Sequence, residues 1–264
     1  MDLQLAGKSA IITGGGSNIG RDICLRFAKE KANITIAELD EEQGNKVAGE
    51  VEALGAKVHF VKTDVSNNDN VLEMVKMAND KFGQVDILVN NVGWAVDQLF
   101  MDETREKWEK MIAINFWGVL NNVRAVLDQM VERKKGAIVN LGSDAGRMGE
   151  YREAVYAGCK GAVIAFSKAL AREVGRHNIR VNVVCPGLTI PDSDDGIGKN
   201  SLWAREDLKA IFTPEARQKA AKAYPLRKLG RPGEIADAVA FMASECASHI
   251  TGQTLSVSGG YTMM

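Results

Sequence analysis

Up to Pro186 the chain contains no proline, and short apolar runs there alternate with longer segments whose apolar positions recur at helical spacing. The runs rich in Val, Ile and Ala predict strands at Ser9–Thr13, Ile34–Glu38, Val58–Lys62, Ile87–Asn91, Ala137–Leu141, Val181–Val184 and Thr254–Val257. Helical spacing predicts helices at Asn18–Lys31, Glu41–Leu54, Asn68–Phe82, Val155–Arg176 and Gly233–Ser244. It also predicts helix over Arg105–Glu132, as one long piece or two. The strands are continuous apolar runs more than alternations, so both of their faces must be covered, which requires a parallel sheet with helices on each side. The expected fold is a single-domain α/β doubly wound sheet of seven strands spanning residues 1–264.

The rhythm breaks at Leu188–Pro225, which holds Pro191, Pro214 and Pro225 and the acidic run Asp192-Ser193-Asp194-Asp195. Loops of that length inside a compact domain usually act as lids or binding loops, so 188–225 is the expected substrate-binding lid. With 33 basic and 34 acidic residues the formal charge is −1, without the field of a dedicated nucleic-acid binder. The four cysteines (Cys24, Cys159, Cys185, Cys246) form no C-x-x-C pair, and only three histidines accompany them, so neither a metal site nor a disulfide framework is expected. No apolar run approaches the ~18 residues of a membrane span, and the N-terminus lacks the pattern of a secretory signal. A cytoplasmic protein is the expectation.

Three local features carry chemistry. Thr13-Gly14-Gly15-Gly16-Ser17-Asn18-Ile19-Gly20 follows the first strand and opens into a helix, where glycines and free helix amides can meet a pyrophosphate, as in Rossmann-type sheets. Glu38 ends the second strand, eighteen residues past Gly20, where a carboxylate can grip the adenosine ribose hydroxyls and repel a 2′-phosphate; Asp40 is the alternative. No Arg or Lys stands in Gly15–Asn18 or at Ala37, so NAD is favoured over NADP. Finally, Tyr156 and Lys160 lie one helical turn apart on one face. At ~4 Å and an effective dielectric of ~20 a lysine ammonium attracts a phenolate by about 4 kcal/mol, enough to pull a tyrosine toward neutral pH.

With Asp64-Val65, Asn90-Asn91-Val92-Gly93, Asn115, Ser143, Tyr156-Ala157-Gly158-Cys159-Lys160, Pro186-Gly187 and Ser258-Gly259-Gly260, these motifs resemble the short-chain dehydrogenase/reductase family over essentially the whole chain. The resemblance implies that Tyr156 is the general acid/base, that Ser143 holds the substrate oxygen, that Lys160 tunes the tyrosine and binds the nicotinamide ribose, and that Asn115 supports a proton-relaying water. It implies cofactor contacts at Gly14, Ser17, Asn18, Ile19, Gly20, Glu38, Asp64, Val65, Asn91, Gly93, Pro186, Gly187 and Thr189. Asn18 stands where the family usually has glycine, Val92 where it has alanine, and Pro191 where threonine is common. A homotetramer through Ile112–Glu132 and Val155–Arg176 is implied too, with a paralogous partner subunit as the other possibility.

Trp94, Met148, Tyr151, Leu188, Leu202, Trp203 and Phe212 are expected to form a bulky apolar substrate pocket beside Ser143, although Trp203 and Phe212 can equally serve to pack the lid. Lys199, Arg205, Lys209, Arg217, Lys219, Lys222, Arg227 and Lys228 offer either a coenzyme A phosphate site or a solvated helix face. Local stretches such as Glu153-Ala154-Val155-Tyr156-Ala157 and Thr251-Gly252-Gln253-Thr254 resemble dehydrogenases of 2-hydroxycyclohexanecarboxyl-CoA and 2-(hydroxy(phenyl)methyl)succinyl-CoA from anaerobic ring and toluene degradation. The expected reaction is therefore NAD-dependent oxidation of a bulky α-substituted β-hydroxyacyl-CoA. The alternatives are a 3-oxoacyl-thioester reductase, another cyclic alcohol dehydrogenase, or a catalytically silent NAD-binding subunit.

Overall fold

The computed structural model describes residues 2–206 and 212–264. Seven parallel strands form one sheet in the order β3-β2-β1-β4-β5-β6-β7. They are β1 (Ser9–Thr13), β2 (Asn33–Glu38), β3 (Val58–Lys62), β4 (Ile87–Asn90), β5 (Gly136–Leu141), β6 (Ile179–Pro186) and β7 (Thr254–Val257). The order reverses between β1 and β4, and the cleft opens there, at the carboxyl ends of the strands.

Helices α1 (Asn18–Lys29), α2 (Glu41–Ala53), α3 (Asn68–Phe82), α4 (Arg105–Ile112), α5 (Gly118–Arg133), α6 (Ala145–Met148), α7 (Ala154–Val174), α8 (Pro214–Ala221) and α9 (Pro232–Ala243) cover the sheet and its edges. Neighbouring β1 residues face opposite layers, as the strand period requires. Ile12 packs with Ile23 and Phe27 of α1 and Val239 of α9. Ile11 packs with Met74 of α3, Val123 of α5 and Val163 of α7. Caps fix where the helices begin: the Asn67 side chain accepts from the amides of Asp69 and Asn70, and Thr104 accepts from that of Lys107. Helix α7 is apolar enough by length and composition to cross a membrane, but its apolar face lies on the sheet core.

The expected Arg105–Glu132 helix is two helices joined by a π-helical segment, Ala113–Trp117, a distortion that recurs at functional sites. The expected lid also carries the helix α8 and the one-turn segments Asp194–Gly196 and Leu202–Ala204.

A buried polar chain crosses the sheet from one helix to another. Asn122 donates to Asn90 (2.9 Å), Asn90 to Asn140 (2.8 Å), Asn140 to the Ser167 hydroxyl (2.8 Å), and that hydroxyl to the Val163 carbonyl (2.7 Å). Since Asn140 is fully buried, Asn140→Ala orphans groups on both sides of it, and we expect unfolding stability in urea to fall by about 3 kcal/mol. A loss under about 1 kcal/mol would mean that the network is not needed for folding.

Candidate active site

The glycine-rich loop turns sharply out of β1. Gly14 has φ +65° and Asn18 φ +47°, so the asparagine in a usual glycine position does adopt the left-handed conformation it tolerates better than most residues. A Cβ at Gly20 would overlap the Gly14 carbonyl oxygen and lie 2.6 Å from Asn91 Nδ2. Asn91 in turn donates to the Thr13 (3.0 Å) and Gly14 (3.1 Å) carbonyls, locking the turn after β4 against the one after β1. A Val92 methyl closes the floor beside Gly14.

Glu38 points back over this loop. Its carboxylate accepts from the Gly16 amide (3.2 Å) and from those of Leu39 (2.8 Å) and Asp40 (3.1 Å). Asp40 instead caps α2 and pairs with Lys199 of the lid at 3.3 Å. Asp64 is held by the Ser66 hydroxyl (2.7 Å) and amide (2.9 Å), while the Val65 carbonyl accepts from Asn121 (3.1 Å). The N-terminus of α1 has no side-chain cap and no acid in its first turn. Asn18 Oδ1 and Gln43 Oε1 are buried in the cleft wall without a protein partner. An uncapped helix start, close-packed glycines, orphaned polar atoms and a ribose-gripping carboxylate fit an adenine dinucleotide.

At the other end Ser143 follows β5 and Tyr156 projects from the first turn of α7. Lys160 is buried, donates to the Leu141 carbonyl (2.9 Å) and lies 5.7 Å from the Tyr156 ring centre. Asn115, on the π-helical segment, donates to the carbonyls of Trp94 (2.7 Å) and Met111 (2.9 Å) and accepts from the Trp94 amide (3.2 Å). It thereby fixes the loop that carries Gly93, where a Cβ would sit 3.5 Å from Lys160 Nζ. Thr189 donates to the Gly187 carbonyl (3.0 Å) at the root of the lid.

Burial dominates the electrostatics at this end of the cleft. Burial pushes the Tyr156 phenol up, Glu153 adds to this, and the Ser143 hydroxyl opposes it. Burial also lowers Lys160 to about 8, which still leaves it mostly an ammonium at neutral pH. Tyr156 therefore rests as a protonated phenol, poised to donate.

These groups share one cleft of about 800 Å³ lined by Gly14, Ser17–Gly20, Glu38, Asp64, Val65, Asn91, Gly93, Ser143, Tyr156, Lys160, Pro186, Gly187 and Thr189. Trp94, Leu188, Leu202, Trp203 and Phe212 line it as well. Trp203 and Phe212 also pack edge-to-face, with ring centres 5.2 Å apart. Met148 and Tyr151 do not line the cleft: Tyr151 is 74% exposed, and Met148, on the far side of its turn, accepts from the Thr262 hydroxyl.

Several of the lid cations already have partners within the chain. Lys199 meets Asp40, Arg217 donates to the Phe212 carbonyl, Arg227 to the Lys222 carbonyl, and Lys228 pairs with Glu234. Lys209 lies outside the described residues. Residues without an expected role also line the cleft, among them Lys110, Glu150, Glu153, Tyr224 and Tyr261. Tyr261 stacks on Tyr224 (4.8 Å) and donates to Glu150 (3.2 Å). Glu153 stands three residues before Tyr156, at the N-cap of α7.

A dinucleotide cleft at the switch point of a parallel sheet, with serine, tyrosine and lysine converging at one end, defines a nicotinamide-dependent oxidoreductase of the short-chain dehydrogenase/reductase type. Residues 14–262 match the family described as enoyl-(acyl carrier protein) reductase, and the chain belongs to that family. It is 39% identical to a 3-oxoacyl-(acyl-carrier-protein) reductase, FabG, of Chlamydia muridarum, over 98% of this chain and 99% of that one. It is 36% identical to the FabG of Staphylococcus epidermidis, over 97% and 99%. A solved NAD+-bound xylitol dehydrogenase superposes with a TM-score of 0.89 at 30% identity, covering 97% of this chain and all of its own. The two relatives are named for 3-oxoacyl reduction and not for ring or toluene degradation, which favours the alternative thioester reading over the narrower one.

Proposed function

We propose that this chain interconverts 3-oxoacyl and 3-hydroxyacyl thioesters with NAD(H). The observation that carries the reading is the placement of Tyr156 with Ser143 and the buried Lys160 at one end of a cleft whose other end presents Glu38. In the reductive direction Ser143 and Tyr156 hydrogen-bond the 3-oxo oxygen, and Tyr156 supplies its proton as the alcohol forms. When bound, the nicotinamide delivers or accepts the hydride at the adjacent carbon. Lys160 then stabilises the phenolate left behind, through an attraction that is stronger because both groups are out of water. Asn115 keeps the Gly93–Trp94 loop at the distance this geometry needs. Relatives named as 3-oxoacyl reductases support the acyl thioester, and Glu38 together with the NAD+-bound structural neighbour supports NAD over NADP.

The rings of Trp94, Trp203, Phe212, Tyr224 and Tyr261 around the acyl end favour a second, narrower form of the reading, a bulky ring-bearing acyl-CoA. A homotetramer and a cytoplasmic location belong to the proposal as well. Exposed Phe100, Met101 and Trp117 near α4 and α5 supply apolar surface for subunit contact.

The test follows absorbance at the NADH band with linear 3-oxobutyryl, cyclic and benzylic thioesters, each set beside its free acid and each with NADH and NADPH. The expected result is thioester turnover with NADH about 100-fold more efficient than with NADPH, since a carboxylate facing a 2′-phosphate costs a few kcal/mol. Equal turnover of free acids and thioesters would sink the thioester assignment, and a preference for NADPH would sink the role of Glu38.

A further inference from the structure

Glu153 is the titratable group at the acyl end that the reaction above leaves without a task. It is half-buried, begins the turn that leads into Tyr156, and lines the cleft. Glu150, on the same wall, receives the Tyr261 hydroxyl at 3.2 Å, but no hydrogen bond or ion pair reaches the Glu153 carboxyl among the described residues. The charges around it offer no compensation. Asp97, from the loop after β4, is paired with Arg152 at 2.6 Å, so that guanidinium is taken. Lys110 of α4 sits over the Trp94 ring, 4.4 Å from its centre. Tyr224 and Tyr261, which line the same cleft, are phenols stacked on each other.

We propose that Glu153 is a specificity-determining residue: with Glu150 it makes the acyl end of the cleft a wall that rejects anions, so the enzyme takes acyl groups without a second carboxylate. This deepens the thioester reading and rests on it for the identity of the substrate. It separates the two ring thioesters considered above, because the succinyl-type acyl group carries a free carboxylate and the cyclohexane ring does not. The exclusion also has a direction in pH. Burial raises Glu153 to about 7, with Glu150 and Asp97 adding to the shift, so the carboxylate is present above that pH and fades as pH falls through it.

The test is calorimetric binding of benzamide and benzoate to the NADH-loaded enzyme, which needs no thioester. At about pH 8.5 the wild type should bind benzamide about tenfold tighter than benzoate, and near pH 5.5, where benzoate is still ionised, the ratio should shrink to about twofold. Glu153→Gln should show the small ratio at both pH values. A wild-type ratio that does not change with pH, or a Glu153→Gln ratio still near tenfold at the higher pH, overturns the proposal; the first measurement needs no variant. If these ratios appear while no thioester turns over, the wall stands and the thioester reading fails.

Discussion

Tyr156→Phe should lower kcat by about a thousandfold while leaving NADH affinity within about twofold of wild type, because the substitution removes only the proton that the alcohol oxygen must gain or lose. The ring stays, so the contact with Lys160 and the packing at the start of α7 stay with it. The phenol is held protonated by burial and by Glu153, with only Ser143 pulling the other way. That balance makes the group a donor at rest, while the neighbouring Lys160 Nζ is turned to the Leu141 carbonyl. Stopped-flow hydride transfer with a saturating 3-oxoacyl thioester measures the effect directly. A residual rate above about a tenth of wild type would place the acid elsewhere, with Glu153 the first group to examine.

The strand Ser9–Thr13 was legible because a doubly covered strand leaves no polar alternation to misread, and the partly covered edge strands Val58–Lys62 and Thr254–Val257 also stand where their runs put them. Strand β6 is longer than its run, and the reason lies in tertiary structure. Arg180 continues the strand because its guanidinium reaches the carbonyls of Met242, Ala243 and Ser244 at 2.6 to 2.9 Å. Polar residues satisfied this way look like a strand end in sequence. The π-helical segment was equally invisible, since its Asn115 is tied to Trp94, a residue of another loop.

At the site, the adenosine and catalytic motifs were legible because each is local, a turn or a helical spacing. Tyr224 and Tyr261 come from the lid and the tail, and only folding stacks them. The electrostatics around Tyr156 are a tertiary property of the same kind. A four-residue spacing shows that Lys160 is near, but not that burial weakens Lys160 itself and raises the phenol. Spacing gives proximity; the sign of a pKa shift depends on how much water the fold removes.

The loop that receives the dinucleotide tests this division between local and tertiary information most sharply, because two glycines identical in sequence should respond in opposite ways to the same added methyl. At Gly20 a Cβ would overlap the Gly14 carbonyl oxygen and crowd Asn91 Nδ2 at 2.6 Å. Both neighbours are fixed, Gly14 by its φ of +65° and Asn91 by its two backbone carbonyl contacts, so neither can give way. Gly20→Ala should therefore push α1 away from the turn, cost about 3 kcal/mol of stability, and weaken NADH binding by at least about tenfold as the helix amides leave the pyrophosphate position. Gly49, in the exposed middle of α2, has nothing within 4 Å of a Cβ. Gly49→Ala should instead stabilise the protein by about 0.5–1 kcal/mol, through helix propensity alone, with NADH affinity unchanged. Urea unfolding and fluorescence titration of NADH on the two variants read both effects. If Gly20→Ala bound NADH like wild type, the contact between α1 and Gly14 would not be what holds the cofactor loop in register, and the glycine would owe its place to packing alone.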